Sequence, residues 1–186
     1  MSIIVAVKKN DTVAIAADSQ LNFGGYTAGP HNVTNQKVIK IGGAHIGSVG
    51  WAIYDNILDA YFSKNEVELT DKMSVFSFFL AFQKHVFGEY RYNDASERDS
   101  VNPFSSLDSQ FIVATKSDIF VVSQDISVSQ FDRYCAIGSG DSYALGALCA
   151  IYESDICAVD LARRSVSVAI GFDTRCGGEI MSSVVG

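Results

Sequence analysis

The chain has 186 residues, a length that suits a single domain spanning 1–186 with a substantial core. Hydrophobic residues make up 48% and charged residues 19%, with only two prolines, so long disordered linkers are not expected. A net charge of −7 argues against a nucleic-acid or anionic-membrane surface, and no apolar run reaches membrane-spanning length.

Residues 2–7 are rich in β-branched side chains and read as a strand. A polar turn at Lys8-Lys9-Asn10-Asp11 leads to a second strand, 12–17. The two make a hairpin that brings Asp18 back beside Ser2. Residues 21–35, with Gly24-Gly25, Gly29-Pro30 and several Asn, read as a loop. Strands follow at 37–41 and 44–49, joined by Gly42-Gly43. A helix is expected from Trp51 to about Lys64, with Ile53, Ile57, Leu58, Tyr61 and Phe62 at helical spacing. Another is expected from Asp71 to about Tyr90, where Val75, Phe76, Phe79, Phe82, Val86 and Phe87 read as core rather than as a cofactor box. Residues 93–107 are polar, contain Pro103, and read as a surface loop.

Strands resume at 110–115 and 119–123 around a tight Lys116-Ser117-Asp118 turn, then at 134–137. Gly138-Ser139-Gly140-Asp141-Ser142 opens a helix holding Tyr143, Leu145, Leu148 and Ile151; a further helix covers 159–170 and a last strand 179–185. Runs of each element type, rather than strict alternation, imply α+β layers with mostly antiparallel sheets.

The cysteines, at 135, 149, 157 and 176, show no C-x-x-C spacing, so free thiols and a reducing compartment are expected. His31, His45 and His85 are scattered, which gives no zinc pattern. No metal and no cofactor is expected. With no basic n-region before an apolar stretch, the expected location is cytoplasmic.

Ser2 carries the chemistry. If Met1 is removed, one residue holds both a hydroxyl and a free α-amine. The amine's reference pKa, about 7.7–8.0, lies close to working pH, where a general base is most effective. A serine hydroxyl is a weak nucleophile without an adjacent base, and an N-terminal serine brings its own. The plainer reading is that Ser2 simply follows the start codon.

Four pieces in register bear on that choice. Ser2-Ile3-Ile4-Val5-Ala6-Val7 followed by Ile15-Ala16-Ala17-Asp18-Ser19-Gln20 resembles the opening of proteasome β-subunits and HslV-type bacterial peptidases. Lys37-Val38-Ile39-Lys40-Ile41 resembles the strand bearing their active-site lysine. Ala136-Ile137-Gly138-Ser139-Gly140-Asp141-Ser142 resembles their glycine-flanked serine turn, and Asp173-Thr174-Arg175-Cys176-Gly177-Gly178 their Asp-x-x-Ser-Gly-Gly run.

The resemblance implies the N-terminal nucleophile hydrolase fold, a four-layer αββα sandwich. It implies Ser2 as nucleophile in place of threonine, Lys37 beside its hydroxyl, and Asp18 as the lysine's partner. It places Ser139 and Asp173 around the terminal amine, with Cys176 where serine is usual. Gly47-Ser48-Val49-Gly50 corresponds to the oxyanion turn, with the Gly50 amide favoured and Trp51 left open. Leu21, Asn35, Ile39, Val49 and Ile53 are the implied substrate-pocket side chains, and their mostly apolar character suggests apolar residues before the scissile bond. The family also implies stacked homo-oligomeric rings and an ATP-dependent unfoldase partner.

Alone, each residue has a plainer reading. Asp18 and Lys37 are surface charges, Ser139 is a helix N-cap, and Asp173 closes the preceding helix. Together they point to a self-compartmentalising peptidase acting on peptides or unfolded chains. The alternatives are an inactive ring-forming subunit and an amidase of the same fold acting on a non-peptide amide. A dinucleotide site fails because Tyr143 stands where the third glycine belongs, and no G-x-S-x-G elbow is present.

Overall fold

The computed structural model describes residues 2–29, 32, 36–90 and 106–186. The chain begins with a hairpin of β1 (Ile3–Lys9) and β2 (Thr12–Asp18), and a short one of β3 (Leu21–Phe23) and β4 (Tyr26–Ala28) follows. Next come β5 (Val38–Ile41), β6 (Ala44–Val49) and the helices α1 (Ile53–Phe62) and α2 (Lys72–Glu89). The second half runs β7 (Gln110–Ala114), β8 (Ile119–Val122), β9 (Val128–Phe131), β10 (Tyr134–Gly138), α3 (Asp141–Ile151), α4 (Ala158–Phe172) and β11 (Ile180–Val184).

Two antiparallel sheets carry the architecture, one ordered β10-β1-β2-β11 and the other β5-β6-β7-β8-β9. Side-chain alternation sorts each central strand between two cores. Ile3, Val5 and Val7 of β1, with Ala14 and Ala16 of β2, face Leu148, Leu161, Val166 and Ala169 of α3 and α4. Ile4 and Ala6, with Val13, Ile15 and Ala17, face the second sheet and meet Ile112, Ala114 and Ile119. On that sheet's far side Phe111 and Val113 pack under Phe79 and Phe82 of α2 and Leu58 of α1. The layers are therefore helices, sheet, sheet, helices, the αββα order of the N-terminal nucleophile hydrolase fold. Because β1 and β2 are buried on both faces, their sequences read as continuous apolar runs with weak alternation.

The aromatic stripe of α2 is core, as its spacing predicts. Phe79 lies 4.8 Å from Phe111 between ring centroids. The helix starts where Asp71 accepts the Ser74 N–H at 2.8 Å while Ser74 Oγ accepts the Asp71 N–H at 3.0 Å, a reciprocal cap.

Four expectations need correction. Residues 21–35 are not all loop, because β3 and β4 form a hairpin across Gly24-Gly25. The strand β9 was not foreseen; of its four residues only Val128 is buried, so it lacks an apolar signature. Within the helix expected from Trp51, Ile53 is 52% exposed and Trp51 precedes the first turn, so the apolar face begins with Tyr54, Ile57 and Leu58. In α3 the buried side chains are Ala144 and Leu148, while Tyr143 and Leu145 face outward. Most of the loop expected over 93–107 lies outside the described residues. All four cysteines are unpaired.

Candidate active site

The start of β1 is held on both sides. The hairpin register sets Ile4 opposite Ala17, which brings the first strand residue alongside Asp18 at the end of β2. The Ile3 N–H donates to Asp18 Oδ1 at 3.0 Å. On the other side Ile3 pairs with Gly138, and there the Ser2 carbonyl presses on the glycine. A Cβ at Gly138 would stand 2.0 Å from the Ser2 carbonyl oxygen, and φ is +109°, so only glycine fits.

Asp18 is fully buried and both of its carboxylate oxygens accept hydrogen bonds. Its Oδ1 also takes the Lys37 Nζ at 2.7 Å, and its Oδ2 takes the Gly177 N–H at 3.0 Å. Lys37, 5% exposed at the entry to β5, donates as well to the Gln20 carbonyl at 2.6 Å. Burial lowers the Lys37 ammonium below its ordinary range, and the Asp18 carboxylate opposes that fall. One carboxylate thus joins four separate parts of the chain: the start of β1, the end of β2, the approach to β5, and the turn at Gly177. The surface-charge reading of Asp18 and Lys37 does not survive their burial.

A second cluster lies beyond Gly138. Ser139 does not cap α3, whose N-cap is Gly140 with no side-chain bond. Its Oγ lies 3.7 Å from Cys176 Sγ and bonds the Asp173 carboxylate. Asp173 closes α4, as the plainer reading had it, and its side chain has a further use. Its Oδ1 accepts the Arg175 N–H at 3.0 Å and Nε at 2.9 Å, while Cys176 Sγ reaches Oδ2 at 3.6 Å. Burial pushes the Asp173 carboxyl upward, but the bonds from Arg175 and Ser139 outweigh it and hold the group well below the usual carboxylate range. Burial pushes the Cys176 thiol up to about 11, so it stays protonated at neutral pH.

The first cluster borders a cleft of about 550 Å³ lined by Ser2, Lys37 and Gly50 together with Leu21, Phe23 and Trp51. Gly50 has φ +136°, and a Cβ there would meet Ser109 Oγ at 2.2 Å and the Asp108 carbonyl at 2.7 Å. The Trp51 N–H is already taken by Ser109 Oγ at 3.3 Å, which distinguishes the two amides left open by spacing.

Of the implied pocket residues that are described, only Leu21 lines this cleft. Ile39 packs against the core beneath α1 and α2, Val49 is buried between the sheets, and the exposed Ile53 lies outside the lining. Asn35 lies outside the described residues. Strand parity explains Val49: its neighbours Ser48 and Gly50 face the cleft, so 49 faces the core. Sequence reasoning missed Ser109 and the pairing of Ser48 with Asp55, whose hydroxyl and carboxylate bond each other at the cleft wall. The spacing from the oxyanion turn to Asp55 is what leaves Trp51 open in the sequence, but it does not reveal the bond to Ser48. Among the described residues no group of three or more His, Cys, Asp or Glu is placed to hold a metal ion.

No protein-family model matches the chain. An ATP-dependent protease subunit HslV from Caldanaerobacter subterraneus subsp. tengcongensis is 26% identical over 168 residues, 89% of this chain and 88% of that protein. The subunit of the same name from Thermoanaerobacter pseudethanolicus is 27% identical over the same shares. Among solved structures, BPH of Thiobacillus denitrificans superposes with a TM-score of 0.90 at 27% identity, covering 98% of this chain and 96% of that one. BPH in complex with epoxomicin gives 0.89. Eukaryotic HslV from Trypanosoma brucei, at 18% identity and a TM-score of 0.70 over 98% of each chain, shares the fold. With the αββα layers and the buried Asp18–Lys37 pair beside Ser2, these likenesses make the chain similar in sequence and fold to HslV-like proteasome β-subunits.

Proposed function

We propose that this chain is a proteasome-type peptidase whose nucleophile is the Ser2 hydroxyl, exposed together with its α-amine when Met1 is removed. The supporting observation is the Asp18 carboxylate, which holds the Lys37 ammonium at 2.7 Å and the strand that starts after Ser2 at 3.0 Å. The charge and the nucleophile are thereby fixed to one group.

The steps follow from the cleft. The Ser2 amine takes the hydroxyl proton as Oγ adds to the scissile carbonyl carbon. Lys37, held charged by Asp18, favours the developing negative oxygen of Ser2. The carbonyl oxygen becomes an oxyanion, and the Gly50 N–H receives it, since Ser109 holds the Trp51 N–H. The amine then returns the proton to the leaving nitrogen, giving an ester on Ser2. Water attacks this ester with the amine again as base. Ser139, Asp173 and Cys176 act around the amine, with the Asp173 charge fixed by Arg175. This chemistry uses neither metal nor cofactor.

The assembly part of the proposal is a homo-oligomer of stacked rings, supplied with unfolded chains by an ATP-dependent unfoldase. Both HslV relatives are named as subunits of an ATP-dependent protease. The outward apolar side chains Tyr143, Leu145, Val168 and Phe172 on α3 and α4 supply surface for association. No helix among the described residues is long and apolar enough to cross a membrane. A cytoplasmic location fits this reading.

The test is intact mass with N-terminal sequencing, with and without epoxomicin. Loss of Met1 and a single adduct on Ser2 support the peptidase. Retained Met1 and no adduct refute it in favour of a non-catalytic ring component. Light scattering after gel filtration reports the assembly.

A further inference from the structure

Strand β6 ends at a glycine pressed against the facing strand. Val49 pairs with Gln110, so Gly50 stands opposite Ser109 just past the ladder. A Cβ on Gly50 would meet Ser109 Oγ at 2.2 Å and the Asp108 carbonyl at 2.7 Å. Asp108 itself has φ +46°, a left-handed conformation that aspartate tolerates. Only glycine fits this close approach, yet a glycine at φ +136° does not hold its own backbone angles. A donor to an oxyanion acts through a position fixed before the reaction. The two peptide planes that meet at Gly50 are linked by two soft dihedrals, so holding both planes holds the amide between them. The plane before Gly50 follows Val49, which the ladder fixes. The plane after it is held by the Trp51 N–H, which donates to Ser109 Oγ at 3.3 Å. Ser109 is 2% exposed and does not line the cleft, whereas Gly50 does.

We infer that Ser109 is a positioning residue for the oxyanion turn: by holding the Trp51 N–H it fixes the Gly50 peptide, and so governs transition-state binding without touching the substrate. This deepens the Ser2 peptidase reading and rests on it.

The experiment uses the whole chain as wild type, Ser109→Ala and Ser109→Thr, the last keeping the hydroxyl oxygen. Each is checked for an epoxomicin adduct on Ser2 by intact mass, and for Tm. One readout is kcat and KM on a fluorogenic peptide. The other is the ratio of Ki values for a peptide aldehyde and the matching peptide alcohol. The aldehyde carbon bonds to Ser2 Oγ and the hydroxyl proton passes to the aldehyde oxygen, a hemiacetal whose oxygen occupies the oxyanion position. The alcohol binds without that bond. Ser109→Ala should lose about tenfold in kcat with KM held within about twofold. That is less than the roughly 100- to 1000-fold for removing an oxyanion donor, because the Gly50 N–H remains. The preference for aldehyde over alcohol should fall by a similar factor, and Ser109→Thr should restore both. An unchanged preference in Ser109→Ala, or a loss that Ser109→Thr does not restore at wild-type Tm, overturns the inference and leaves the labelled peptidase standing. A wild type that takes no adduct and turns over no peptide overturns both.

Discussion

Replacing Asp18 by asparagine tests whether one buried carboxylate organises this site. The substitution conserves shape. The asparagine oxygen can keep the Ile3 N–H, but its amide nitrogen then stands where Oδ2 accepted the Gly177 N–H, so donor faces donor. Lys37 loses its counter-charge while 5% exposed. A buried charge without a partner neutralises rather than persists. Releasing the proton of a lysine with a reference pKa of 10.5 costs about 1.4 kcal/mol per pH unit below that value, or about 4 kcal/mol at pH 7.5. The expected loss is therefore about 3–5 kcal/mol, the range for breaking a buried pair. Its pH dependence has a definite sign. In the variant the unfolded chain carries a proton on Lys37 that the folded chain has lost. Variant stability must then rise with pH, by up to about 1.4 kcal/mol per unit below 10.5. Asp18 opposes the loss of that proton in the wild type, whose slope from this group is shallower. Urea unfolding of both proteins at pH 7, 8 and 9, at one protein concentration, reads the gap directly. It should be widest at pH 7 and narrow as pH rises, and Ser2 labelling should fall with it. A pH-independent gap, or a variant within about 0.5 kcal/mol of wild type at pH 7, refutes the reasoning.

Gly138→Ala should displace Ser2, because the new Cβ would stand 2.0 Å from its carbonyl oxygen at φ +109°. Epoxomicin labelling and thermal stability should both drop, and unaltered labelling would contradict the geometry. Asp173 is predicted to contribute to acid sensitivity. Its folded carboxyl titrates below the unfolded value of 3.8, so its stabilisation is complete above that pH and is lost as pH falls below it toward the folded value. Asp173→Asn should flatten stability against pH below about 4 relative to wild type, as followed by circular dichroism.

The layers were legible because their signals are long. The doubly buried β1 and β2 and the aromatic face of α2 each commit many residues to one environment. What escaped was short or half-exposed. The Gly24-Gly25 pair is a hairpin signal, yet its flanks, Phe23 and Tyr26, are 48% and 66% exposed and give no alternation to support it. The edge strand β9 has one buried residue and is held by its ladder to β8. At the site, Ser2, Asp18, Lys37 and Ser139 could be named because each sits in a recognisable local run. Which of the two amides is already bonded could not, because Ser109, which holds the Trp51 N–H, is 58 positions away. Nor could the cleft wall. The resemblance suggests apolar residues near the oxyanion turn, while strand parity turns Val49 inward and leaves Ser48 and Gly50 to face the cleft.

Cys176 is the departure from the family pattern with the plainest consequence. Its thiol sits between Ser139 Oγ at 3.7 Å and Asp173 Oδ2 at 3.6 Å, sulfur distances longer than an oxygen donor would keep. With its ionisation pushed up to about 11, it serves only as a weak neutral donor. A hydroxyl at the same position is smaller and a better donor, and the tight neighbour Gly140, whose Cβ would lie 3.1 Å from the sulfur, presents no obstacle to a smaller atom. Cys176→Ser should therefore fold as wild type. It should draw Asp173 and Ser139 into closer bonding around the Ser2 amine and raise kcat by up to a few-fold. The hydrogen bond gained is worth about 1 kcal/mol at most, and only part of it acts in the transition state. The pH–rate profile should shift with it, because the amine's surroundings change while the cleft wall does not. A tenfold loss of kcat with native stability would show that the thiol has a role of its own, which hydrogen bonding does not describe.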